Sequence, residues 1–218
     1  MISLLGVTAH TEVPRAARPG WVLVDAGELR AVAEVRDSPP PLTIESMARH
    51  AAALTDIMRH TTVVPARLPT PFADEPALRA WLHAHRTRLL HDLESLSGCV
   101  EMAVRAVARP EGLRPALAGS GRDFMMERVR SARAAVAAEA AAKDALDALH
   151  QRLAAAARSA RRTGAASGAY LVAAGAAGAF EDLVLAAKAP RGVEVFCTGP
   201  WPAFSFVTTG FPGPKKVA

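Results

Sequence analysis

The chain reads as an α+β protein built from two small units with antiparallel strand pairing. Three observations lead there. Strand-like and helix-like stretches follow one another without the strict strand and helix alternation that a parallel sheet requires. A new alternating pattern of apolar and polar residues begins at Val100, after a first set of elements is complete. The 218 residues, 50% hydrophobic and 22% charged, suffice for one large core or two small ones, and the break near Pro110-Glu111-Gly112 favours two.

Residues 1–8 and 21–25 have strand composition, and Leu29 to Val35 alternates after the turn residues Asp25-Ala26-Gly27, which predicts a hairpin. Ser38-Pro39-Pro40-Pro41 then interrupts the chain. Thr43 is suited to cap a helix whose apolar face is Ile44, Met47, Ala48, Ala51, Leu54 and Met58. A short strand is expected around 62–66. Asp74 and Pro76 open a second helix, whose face is Leu78, Trp81, Leu82, His85, Leu89, Leu93 and Leu96.

In the second half, Val100, Met102, Val104 and Ala106 alternate with Glu101 and Arg105 as a half-buried strand. The Pro- and Gly-rich stretch 109–121 reads as a linker. Residues 122–155 are helical by their alanine content, with Leu146, Leu149 and Leu153 on one face. Ala155 to Arg162 finishes that helix or forms an edge strand, a choice periodicity leaves open. A strand at 168–173, a helix at 177–188 with Phe180, Leu183, Val184 and Ala187 inward, and a strand at 192–197 complete the order.

The chemistry of the chain excludes more than it proposes. The net charge of +5 comes from arginines scattered among acids, without the clustered stripe that nucleic-acid binding needs. Cys99 and Cys197 follow no metal or disulfide spacing. The first residues lack a basic region ahead of an apolar core, and the Ala-rich stretch around 165–180 is too weakly apolar to span a bilayer, so a soluble cytoplasmic protein is expected. His83 and His85 stand two apart on a helix, and His50 and His60 have no ligand at metal spacing. Cys99 with His91 lacks a third, orienting group. Gly119-Ser120-Gly121-Arg122 ahead of a helix is read as a helix start, because it matches no phosphate-binding pattern. No catalytic residue, metal or cofactor is therefore expected.

One segment carries specific information. Thr198-Gly199-Pro200-Trp201-Pro202-Ala203-Phe204-Ser205-Phe206-Val207 places a tryptophan between two prolines that fix φ, after a strand-like run. It resembles the C-terminal signature of the GvpL/GvpF family of gas vesicle proteins, which typically reads G-P-W-P-P-Y-S-F; Ala203 and Phe204 depart from that pattern. The resemblance extends over most of the chain in the same order. It includes the opening strand Ile2 to Val7, the helix containing His50-Ala51-Ala52-Ala53-Leu54, and Val63-Val64-Pro65-Ala66-Arg67-Leu68-Pro69-Thr70-Pro71-Phe72, where Pro69 replaces the family's glycine. Val100-Glu101-Met102 and Ala169-Tyr170-Leu171-Val172 also match.

The resemblance implies an N-terminal α+β domain at 1–97, a modified ferredoxin-like α+β domain at 98–207 that contains the long Ala-rich helix, and a flexible tail at 208–218. It implies a non-catalytic accessory or minor structural protein of the gas vesicle. Its partners would be the small, very apolar major shell protein and other gas vesicle accessory proteins. The candidate protein-binding residues are Pro200, Trp201, Pro202, Phe204 and Phe206 at the aromatic corner, Arg67 and Phe72 in the loop 65–72, and Trp81 on its helix. The alternative is a stand-alone regulatory or ligand-binding α+β module that has diverged from vesicle assembly, motivated by the altered loop and corner.

Overall fold

A computed structural model describes residues 1–10, 20–108 and 121–212. The linker residues 109–120, including Gly119 and Ser120, and the tail residues 213–218 lie outside the described part. Two compact units emerge: Met1–Glu101 with Pro200–Ala218, and Met102–Gly199. The sequence places the break at 97 and gives 200–207 to the second unit. The chain instead returns the C-terminal segment to the first unit, because two buried carboxylates there bind its backbone, as described below.

In the first unit, β1 (Ile2–Ala9), β2 (Trp21–Ala26), β3 (Leu29–Val35), β4 (Val64–Pro65) and β5 (Pro71–Phe72) form one sheet ordered β2-β3-β1-β4, with β5 also on β1. The pairing of β1 with β2's hairpin partner β3 is antiparallel. Gly27, at φ 65°, supplies the left-handed residue of the hairpin turn. β1 is buried along almost its whole length, Ser3 and Thr8 included, as a strand covered on both faces must be. Gly6 admits a close approach there: a Cβ at this position would lie 2.5 Å from Val63 Cγ2 and 3.0 Å from the Val64 carbonyl.

Helix α1 (Ile44–Met58) is capped as predicted, with Thr43 Oγ1 accepting from the Ser46 N–H at 3.2 Å and Ser46 Oγ accepting from the Thr43 N–H at 3.1 Å. Its buried face differs from the predicted one. Ser46, His50, Ala53, Leu54 and Ile57 turn inward, while Ile44 and Met47 are exposed. Polar groups cause the rotation: Ser46 Oγ donates to the Pro41 carbonyl, and His50 Nε2 donates to the Ala66 carbonyl at 2.7 Å.

The predicted second helix is two. α2 (Glu75–Ala84) begins on Asp74, whose carboxylate accepts from Ala77 N–H at 2.8 Å, and α3 (Arg86–Leu96) follows after His85, at φ −108° and ψ 10°. At that break His85 stacks on Trp81 at 4.5 Å and its Nδ1 donates to the Trp81 carbonyl at 2.9 Å. The apolar leucines of both helices stay on the buried side.

The second unit holds β6 (Cys99–Ala108), α4 (Gly121–Ala155), β7 (Ser159–Gly164), β8 (Ser167–Ala173), α5 (Ala177–Leu185) and β9 (Val193–Trp201). Its sheet is ordered β7-β8-β6-β9. The segment after α4 is thus an edge strand, paired antiparallel with β8. Met102, Val104 and Ala106 of β6 are buried. Tyr170 is fully buried between Phe180 at 5.3 Å and His150 at 5.7 Å, with its hydroxyl 2.9 Å from His150 Nδ1. Among the described residues no helix is long and apolar enough to cross a membrane.

Candidate functional site

The aromatic corner takes its shape from two carboxylates that lie over a hundred residues away in sequence. Glu101, buried at the start of β6, accepts from the Ser205 N–H at 2.8 Å and from its hydroxyl at 2.7 Å. Asp92, buried on α3 among Leu89, Leu93 and Leu96, accepts from the Thr208 N–H at 3.0 Å, the Thr208 hydroxyl at 2.6 Å and the Thr209 N–H at 2.9 Å. Carboxylates bonded to backbone N–H groups are among the stronger hydrogen-bonded pairs in proteins. Burial raises the Glu101 carboxyl above its ordinary value, opposed by the two Ser205 donors and by the charge of Arg67.

These clips correct one expectation. Residues 208–212 are held on the first unit instead of leaving it as a tail, and Phe211 stacks on Trp81 at 5.2 Å. Phe204, Ser205 and Phe206 form a turn, closed by the Phe206 N–H donating to the Ala203 carbonyl at 3.1 Å. Phe206 is buried, and Phe204 is half-buried against Leu5, Val32, Leu54 and Val63, with its ring 6.4 Å from that of His50.

The other candidates divide by exposure. Trp201 is 43% exposed and Pro200 is exposed, while Pro202 is buried. Arg67 is exposed; Phe72 is buried, with its ring 5.6 Å from half-buried Trp81. The structure brings the loop 65–70 together with the corner around a cleft of about 430 Å³. Leu42, Leu68, Pro69, Phe204, Val207 and Phe211 make its walls largely apolar. Thr209 also lines it; this residue is 5% exposed and its hydroxyl has no hydrogen-bond partner. Trp81 is not on that cleft's lining but lies beneath Phe211.

Sequence reading missed Asp92, Glu101 and Thr209 as members of the site. A signal was present for the first two, since each is an acid set among apolar positions of its own helix or strand, and a buried acid needs a partner. Thr209 carries no such signal. Among the described residues no group of three His, Cys, Asp or Glu side chains is arranged to hold a metal.

Two solved structures, one relative in sequence and one family model match the chain. The structure is similar to the crystal structure of gas vesicle protein GvpF from Microcystis aeruginosa, with a TM-score of 0.71 at 12% identity over 95% of this chain and 99% of that one. It is also similar to gas vesicle protein GvpF from Anabaena sp. PCC7120, with a TM-score of 0.74 at 12% identity over 96% of each chain. In sequence it is 29% identical over 223 aligned residues to gas vesicle protein L of Streptomyces sp. (strain CB03234), covering 89% of this chain and 83% of that protein. The family described as gas vesicle synthesis protein GvpL/GvpF matches residues 19–208, from before β2 to past the carboxylate-held corner, and the chain belongs to that family.

Proposed function

We propose that, within the gas-vesicle-associated role its family carries, this chain is a non-catalytic accessory or minor structural protein that binds the small apolar shell protein and assists nucleation and assembly. The observation that carries this reading is the apolar cleft between the loop 65–70 and the corner, with the unsatisfied Thr209 hydroxyl in its wall. An extended or helical segment of an apolar protein fits such a site: its side chains bury against Leu68, Phe204 and Phe211, and a backbone or hydroxyl group satisfies Thr209. Trp201, held by Pro200 and Pro202, supplies an exposed aromatic anchor on the same segment.

Titration of purified chain with the shell protein tests it. Thr209→Val keeps the shape and the backbone bond to Asp92, and is expected to weaken binding about tenfold without lowering the melting temperature. Wild-type chain that fails to bind the shell protein overturns the reading.

A second reading, that of a ligand-binding module, is favoured by one observation. His50, whose buried Nδ1 has no hydrogen-bond partner, lines a separate cavity of about 130 Å³ together with Ser3, Ser46 and Arg36. Because Nε2 donates to Ala66, Nδ1 is an acceptor, so an occupant presents an N–H or O–H group. Stabilisation of the wild type but not of His50→Phe by a small hydroxylated metabolite in a thermal-shift screen supports this second reading.

A further inference from the structure

The His50 cavity is built by the first unit alone: β1, β3, the prolines ahead of α1, α1 itself and the loop 65–70 all contribute to its wall. Its volume of about 130 Å³ sets the scale of an occupant. An engineered cavity of roughly 150 Å³ in another protein takes up benzene, so a molecule of about six non-hydrogen atoms has the right size here. The charged side chains of the wall are Glu34, Arg36 and Arg49, and each already has a counter-ion. Glu34 Oε2 accepts from Arg36 Nε at 3.0 Å and from Arg36 Nη2, and Arg49 pairs at 3.6 Å with Glu45, on the preceding turn of α1. With Glu45 included, these charges cancel. A charged occupant would lose its hydration without gaining a free counter-ion, which selects a neutral molecule.

Hydrogen bonding narrows the class further. His50 is 7% exposed, and its Nε2 is spent on the Ala66 carbonyl. Desolvation favours the neutral ring, so Nδ1, without a hydrogen-bond partner among the described residues, offers a lone pair. The Glu34 carboxylate is a second acceptor, while the guanidiniums of Arg36 and Arg49 are donors only. The Ser46 hydroxyl is already engaged by the Pro41 carbonyl and the Thr43 N–H. The wall thus mixes acceptors with donors, and a hydroxyl group answers both on one atom. Leu5, Pro40, Pro41 and Leu68 complete the lining with carbon. That apolar part suits the C–H groups of a short carbon chain and gives water no hydrogen-bond partner.

We propose that the His50 cavity is a binding site for a small neutral polyol of glycerol size, which donates one hydroxyl to His50 Nδ1 and sets its carbons against Leu5, Pro40, Pro41 and Leu68. The assignment rests on the second reading above, that this cavity holds a ligand, and names the class of that ligand. A neutral donor, a neutral amide and either sign of charge are told apart by the same titration.

The full chain, labelled with nitrogen-15 in its histidines, is titrated with glycerol, acetamide, acetate and methylammonium while the Nδ1 resonance of His50 is followed by NMR. His50→Gln removes that resonance and so assigns it. Glycerol is expected to move it along a saturating curve, and the other three compounds are not. Ser3→Val replaces a hydroxyl of the wall by two methyl groups, and saturation should then need at least about tenfold more glycerol. A His50 resonance at its usual place in unliganded Ser3→Val shows that the fold is kept; if it has moved, Ser3→Ala takes the place of that variant. Saturation by acetamide or by a charged compound in place of glycerol overturns the polyol assignment and leaves the ligand reading standing. A response to none of the four, or a shift with glycerol that never saturates, means that the cavity holds water only, and both fall. Wild-type affinity in the Ser3 variant overturns the placement of the polyol in this cavity.

Discussion

Glu101 and Ser205, 104 residues apart, are joined by two hydrogen bonds, one to the serine backbone at 2.8 Å and one to its hydroxyl at 2.7 Å. One buried carboxylate thereby sets the turn that buries Phe206 and leaves Trp201 toward solvent.

Glu101→Ala should therefore cost about 2–3 kcal/mol of stability, since a charged acceptor and its two donors lose one another. Ser205→Ala, which leaves the backbone bond, should cost about 1 kcal/mol. The pH dependence has a definite sign. Because burial raises the folded pKa, the native state holds the Glu101 proton more tightly than the unfolded chain. Its contribution is greatest below the ordinary glutamate value of about 4.3 and falls as pH rises through the folded value. Urea titrations from pH 4 upward should show that fall in wild type and not in Glu101→Gln; identical profiles refute the assignment.

His50 works in the opposite direction. Desolvation lowers its pKa, so the fold prefers neutral imidazole. Stability from this residue is present above the ordinary histidine value of about 6.5 and is lost as pH falls below it. His50→Gln keeps a donor for the Ala66 carbonyl but does not titrate. The stability advantage of wild type over His50→Gln should shrink on going from neutral to mildly acidic buffer, and an advantage that holds constant would count against a neutral, desolvated His50.

Gly6→Ala inserts a methyl group against Val63 Cγ2 and the Val64 carbonyl. A loss of about 1–3 kcal/mol is expected. Because the closest contact is a side chain, Val63→Ala in the same chain should recover part of it, which a double-mutant cycle measures as a coupling. Strict additivity would show that the clash is with the backbone alone.

Trp81 and Trp201 should separate under truncation. Trp81, ringed by Phe72, His85 and Phe211, should cost about 2–4 kcal/mol as Trp81→Ala. Trp201, more exposed, should cost less than about 1.5 kcal/mol in the isolated chain while weakening shell-protein binding by about 2 kcal/mol. Chemical denaturation and a binding titration on both variants check this. A large stability loss at Trp201 would move it from the contact surface into the core.

Tyr170 is the chain's one tyrosine, so tyrosinate absorbance reports it alone. Burial pushes its pKa up to about 12, and that of the half-buried Cys197 thiol up to about 11. The native chain should show no tyrosinate near the ordinary value of about 10, and the denatured chain should. A native transition at the ordinary value would mean that the His150 and Phe180 pocket is open.

What the order of residues determined by itself is local. Alternation at Val100 to Ala106, the cap at Thr43 and the turn at Gly27 act through neighbours in the chain, and each element stands where these signals put it. The proline-flanked Trp201 segment likewise identified the family from sequence alone. Only the tertiary structure decided which side of α1 faces inward, because the inward side is set by the Ala66 carbonyl and Pro41, not by hydrophobicity along the helix. It decided the break at His85 in the same way, through a side chain folding back on Trp81. Above all, it decided that residues 200–212 belong with the first unit, where Asp92 and Glu101 wait for them. A buried carboxylate advertises in sequence that it needs donors, but which donors reach it depends on how the chain returns through space, and no periodicity encodes a pairing across more than a hundred residues.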